Sequence, residues 1–158
     1  MSRGRWSHRS AQVRPPMSGI AFNLPRTVTL AADAALLGLA SLHAYVLATA
    51  VHRPGNFAVY CVVMVIGCVV SAGTTWIDAD DIVPAAGWVA GAILCTTFLI
   101  GYPISRMVSL PGLSATTGRW DLAPGNLALA CAAAFLVLYL TVEFGVNVAF
   151  GQRRGWYD

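Results

Sequence analysis

The sequence predicts an all-α membrane protein: four transmembrane helices in an up-down-up-down bundle. Three observations predict it. Charged residues make up 11% of the chain and hydrophobic residues 57%, against about 25% charged in an average soluble domain. So few charges cannot cover the surface of a water-soluble fold of 158 residues, and a bilayer removes that demand. Second, four apolar stretches, 28–51, 57–76, 83–105 and 126–149, each reach the ~20 residues that a spanning helix needs. Third, none alternates apolar and polar residues as a barrel strand does. In hydrocarbon, a helix is then the way to pair every backbone group.

Residues 1–27 form a basic tail with Arg3, Arg5, Arg9, Arg14 and Arg26. Basic residues flanking an apolar span read as a cytoplasmic tail solvated beside anionic lipid, not as a nucleic-acid face. The first span, 28–51, carries Asp33 and His43 and ends in Ala48-Thr49-Ala50, small residues of the kind found at cleavage sites. Its apolar run exceeds the about 7–15 residues of a signal peptide, so an uncleaved anchor is expected. The link His52-Arg53-Pro54-Gly55-Asn56 is short enough to make spans one and two antiparallel neighbours.

The second span, 57–76, leads into Asp78, Asp80 and Asp81. Carboxylates before a helix can accept from its free N–H groups and face its positive end. Pro84 is tolerated in a first turn. The third span, 83–105, runs into Gly101-Tyr102-Pro103 and Arg106, and the link from Arg106 to Gly125 is the longest of the three. Long ordered loops are more often functional than short ones. Met107, Val108, Leu110, Leu113 and Trp120 make this one too apolar for a freely solvated tether, and Pro111-Gly112 supplies turn chemistry. The loop is expected to fold over the outer end of the bundle, with Arg106, Leu110, Pro111, Gly112 and Trp120 as its docking candidates. The fourth span, 126–149, carries Glu143 and completes a transmembrane domain over 28–151, before a short tail, 152–158, with Arg153 and Arg154.

Arginine sets the expected orientation. All ten basic residues are Arg. With both termini in the cytoplasm, seven lie inside and three, Arg53, Arg106 and Arg119, lie outside, as the positive-inside rule favours. Translation from Met17 would remove four of the seven. The expected location is the cell membrane, multi-pass.

Helices in lipid pack through small residues. Gly87 and Gly91 form a GxxxG pair in the third span, and Ala34/Gly38, Gly67/Ser71 and Ala130/Ala134 repeat the spacing in the others. Trp76, Trp88, Trp120 and Trp156 fall near span ends, as interfacial anchors do.

Ionisable groups inside a membrane are costly and each asks for a reason. There are three, Asp33, His43 and Glu143. Placed by helix rise, the two carboxyls lie near the cytoplasmic boundary, where they are expected to face the interior or each other. His43 lies at the depth of Cys68 and Cys95, which are potential metal or haem ligands by residue type. No CxxC or HxxxH spacing supports such a centre, and no P-loop, Rossmann glycine pattern, GxSxG or HExxH occurs. No cofactor and no enzymatic activity are expected.

Ser105-Arg106, Leu110-Pro111-Gly112, Trp120, Glu143 and His43-Ala44-Tyr45 together resemble a pattern in small, mostly uncharacterised four-helix membrane proteins of actinobacteria. That group ends its third span in an SR-x-x-G-LPG-like motif, and Ser109 departs from it. The resemblance implies location and lineage rather than activity. The expected function is an accessory, assembly or interaction subunit of a larger membrane complex. The expected partners are the bilayer, other membrane subunits or further copies of the chain, and no nucleic acid. The alternatives are a small transporter or channel using Asp33, Glu143 and His43, and a haem- or metal-bearing redox anchor.

Overall fold

The computed structural model describes residues 25–49, 55–77, 82–109, 117–118, 120 and 123–149. Four helices account for nearly all of them: α1 (Pro25–Thr49), α2 (Gly55–Thr74), α3 (Ile82–Met107) and α4 (Ala123–Glu143). All four are long and apolar enough to cross a membrane. The chain is a multi-pass integral membrane protein.

The helices form a ring in chain order. α1 packs against α2 and α4, and α3 packs against the same two. This is the up-down-up-down arrangement that short links impose. One end of the bundle, here called proximal, holds the start of α1, the end of α2, the start of α3 and the end of α4. The distal end holds the opposite termini.

The core follows three- and four-residue spacing. Ala32, Leu36, Leu39 and Ala40 of α1 meet Met64 and Cys68 of α2, Trp88, Cys95 and Phe98 of α3, and Ala128, Ala132 and Phe135 of α4. Such spacing places one stripe of each helix inward. The outward stripes are as apolar, with Val63, Ile66, Ile93 and Val137 exposed. Around a soluble protein this would be an aggregation liability; in a bilayer it is the surface that lipid covers.

Helix boundaries differ from the sequence expectation most in α4, which stops at Glu143 rather than 149. Gly145 has φ +69 and closes the helix with two reversed bonds. Its N–H donates to the Val142 carbonyl (3.0 Å), and the Val146 N–H donates to the Thr141 carbonyl (2.8 Å). This is the Schellman stop, in which left-handed glycine satisfies the last carbonyls. Asn147 reinforces it, donating from Nδ2 to Thr141 Oγ1 (3.0 Å). The apolar residues around Gly145 hide this stop from a hydropathy reading. α1 begins three residues earlier than expected, at Pro25, a residue suited to a first helical turn. α3 carries Pro103 inside it and continues to Met107.

The small residues of the four spans sit differently: Gly38, Gly67, Gly87 and Gly91 meet neighbouring helices, whereas Ala34, Ala130 and Ala134 face outward. A Cβ on Gly91 would lie 2.6 Å from Phe135 Cζ and 3.3 Å from Leu36 Cδ1, and one on Gly87 3.0 Å from the Ser71 carbonyl oxygen. Both glycines are where backbone and neighbour touch. Gly67 receives Leu94, and Gly38 receives Cys131. Ala34, Ala130 and Ala134, by contrast, are exposed. The small residues of α4 that pack inward are Ala128 and Ala132, two positions earlier in the same repeat. Trp88 is likewise no interfacial anchor. It is buried, stacked on Phe135 at 5.7 Å between centroids.

Candidate functional site

Two polar clusters stand out against the apolar interior, one at each end of the bundle. The proximal one is built on Asp33, which lies eight residues into α1 and is 6% exposed. The end of α2 supplies its partners. Thr75 Oγ1 lies 3.1 Å from Asp33 Oδ1 and 3.3 Å from Oδ2, and the Trp76 indole N–H donates to Oδ2. Thr75 Oγ1 also donates to the Ala72 carbonyl at 2.7 Å. Antiparallel pairing of α1 and α2 creates this clasp, since Asp33 and Thr75 lie 42 residues apart in the chain.

Glu143 does not join Asp33. It is the last residue of α4 and is exposed. The expectation that both carboxyls face the interior or each other is thus corrected for Glu143. The early stop at Gly145 places it at the helix end, where the side chain has a route to the headgroup layer.

His43 lies ten residues beyond Asp33, about 15 Å along α1. Its Nδ1 is 2.8 Å from the Leu39 carbonyl oxygen. A carbonyl only accepts, so Nδ1 carries the hydrogen. The edges of Tyr60 and Phe98 enclose the ring at 5.6 and 5.2 Å. Cys68 and Cys95 are buried free thiols. Among the described residues, no three His, Cys, Asp or Glu gather as a metal site.

The distal cluster centres on Tyr102, buried on α3. Its hydroxyl donates to Asn126 Oδ1 on α4 (3.2 Å), and Asn126 Nδ2 donates to the Trp120 carbonyl (2.9 Å). Arg106, also buried, holds its guanidinium 4.6 Å from the centroid of the Tyr102 ring, a cation–π geometry. Its carbonyl accepts from the Gly118 N–H (2.9 Å). Arg106 therefore ties the loop down from within rather than offering a docking surface. Trp120 does face outward, with its backbone fixed by Asn126. Leu110, Pro111 and Gly112 lie outside the described residues, as do Asp78, Asp80, Asp81, Trp156 and the tail arginines Arg3, Arg5, Arg9, Arg14, Arg153 and Arg154.

Sequence reasoning missed Thr75 as a partner of Asp33 and Asn126 as a partner of Tyr102. It placed Trp76 in the interfacial layer. The available signals were the polar Thr74-Thr75-Trp76 run closing an apolar span and the Asn opening another. Between the two ends the described interior is an apolar core. Leu36 and Leu39, both fully buried, separate Asp33 from His43. A shallow groove between α1 and α2, about 230 Å³ and lined by Ala44, Leu47, Ala48, Val62, Val65 and Ile66, has no polar side chain to orient a ligand. Comparison with protein-family models, with curated proteins and with solved structures finds no match.

Proposed function

We propose that the protein is a non-catalytic accessory or assembly subunit that associates with other transmembrane helices through the outward face of α4. The observation that carries the reading is the outward position of Ala130 and Ala134. α4 has the smallest buried share of the four spans. Small residues on a lipid-facing stripe let another helix backbone approach closely. Trp120, three residues before the start of α4, is also exposed.

The apolar core between the polar groups favours this reading over a conduit. Asp33, His43 and Glu143 occupy separate places, and Leu36 and Leu39 lie between the first two. A haem or metal anchor draws no support from His43, whose Nδ1 is engaged and whose ring is enclosed by aromatics. Placement in the cell membrane with both termini cytoplasmic rests on the seven-to-three Arg split.

The test is bulk on the outward stripe. Ala130→Ile and Ala134→Ile should weaken association in native membranes, read by crosslinking and native mass spectrometry from nanodiscs, while leaving the thermal unfolding midpoint unchanged. A protein that is monomeric in native membranes and indifferent to both substitutions overturns the reading. Reporter fusions at Arg3 and Asp158 should both report inside.

A further inference from the structure

We infer that Asp33 is a proton-binding site: in the folded bundle its carboxyl is the neutral acid, with the proton on Oδ1, and it acts as a pH-sensitive clasp between α1 and α2. A count of hydrogens carries this. Thr75 Oγ1 lies 2.7 Å from the Ala72 carbonyl oxygen and 3.1 Å from Asp33 Oδ1. A hydroxyl has one hydrogen to give. The carbonyl can only accept, and its contact is the shorter, so the Thr75 hydrogen points there. The contact between Thr75 Oγ1 and Asp33 Oδ1 then takes its hydrogen from Asp33. The other carboxyl oxygen, Oδ2, accepts from the Trp76 indole, which is a donor only. The acid thus has one donating and one accepting oxygen; the longer approach of Thr75 Oγ1 to Oδ2, 3.3 Å, needs no hydrogen of its own. An ionised Asp33 either faces Thr75 oxygen to oxygen with no hydrogen between them or pulls the Thr75 hydroxyl off its carbonyl.

The surroundings agree with the count. Thr75 and Trp76, both neutral, are the hydrogen-bond partners of Asp33. On α1 itself Arg26 is exposed, seven residues earlier, and His43 is ten residues later. α2 otherwise carries Tyr60, Cys61 and Cys68, all further toward the distal end. On α4, Glu143 is exposed at the last turn, and Tyr139 and Cys131 precede it. α3, across the ring, keeps Arg106 at the distal end. Among the described residues, no cation pairs with Asp33. An unpaired charge at this depth is costly, and a carboxyl so placed neutralises instead. The folded state then binds one more proton than the unfolded chain wherever a free carboxyl is ionised, so stability falls as pH rises. Loss of the proton loosens the end of α2 from α1.

The test uses the full chain in nanodiscs. An infrared difference spectrum, wild type minus Asp33→Asn at neutral pH, should show the carbonyl stretch of a protonated acid that the variant lacks. Loss of a carboxylate band in its place overturns the inference. The Asn amide reproduces the neutral acid, with N–H toward Thr75 and oxygen toward Trp76. The variant should therefore keep the wild-type unfolding midpoint at neutral pH and lose the wild-type decline with rising pH. A variant that fails to fold, or whose midpoint drops as far as that of Asp33→Ala, refutes the neutral acid.

Discussion

The two ends of the bundle are closed by opposite chemistries. At the proximal end a short carboxyl side chain links α1 to α2 through a hydroxyl and an indole. At the distal end a long guanidinium lies on a tyrosine ring whose hydroxyl links α3 to α4. Reach explains the difference. Asp has one methylene and cannot carry its carboxyl to the headgroups from eight residues inside a helix, so it must find partners where it is. Arg has a long apolar stem that can lie along the protein and a head that an aromatic face stabilises. A buried Asp thus depends on specific hydrogen bonds, and a buried Arg depends more on the surface beneath it.

Substitutions can break or sharpen that contrast, and the largest effect is expected from Tyr102→Ala. It removes the ring under Arg106, the contact with Phe98 and the bond to Asn126 together. Large-to-small changes of this kind cost about 3–5 kcal/mol, which chemical unfolding in mild detergent should resolve. Asp33→Ala should come next, at about 1–3 kcal/mol, the cost of taking its partner from a buried polar group, here the Thr75 hydroxyl. If the two prove equal, the proximal clasp matters as much as the aromatic platform and the contrast fails.

Tyr102→Phe separates ring from hydroxyl. It should cost only about 0.6–1.7 kcal/mol, the range for interhelical hydrogen bonds in membranes. A loss as large as that of Tyr102→Ala would mean that the Asn126 bond, not the ring, closes the distal end. Glu143→Gln, at an exposed helix end, should stay within about 0.5 kcal/mol. A larger shift in the unfolding midpoint would show Glu143 engaged in the folded state.

The class of the molecule was legible in the sequence because hydropathy is a local sum. Twenty consecutive apolar residues report a membrane span whatever they pack against, and short links report antiparallel neighbours. The costly residues were legible too: Asp33 and His43 stood out because so few charges interrupt the spans. What lay beyond the sequence was the rotation of each helix. In water, the contrast between a polar and an apolar face marks the inward side. In lipid both faces are apolar, so the pattern of α4 could not tell Ala130 and Ala134 from Ala128 and Ala132. Phe135 seating against Gly91 decided it. The partner of Asp33 was hidden for a related reason. Thr75 lies 42 residues away, and only the docking of α2 along α1 brings its hydroxyl within reach. The end of α4 also waited on geometry, since Gly145 interrupts an apolar run that hydropathy carries to 149, and only a left-handed backbone there turns it into a stop.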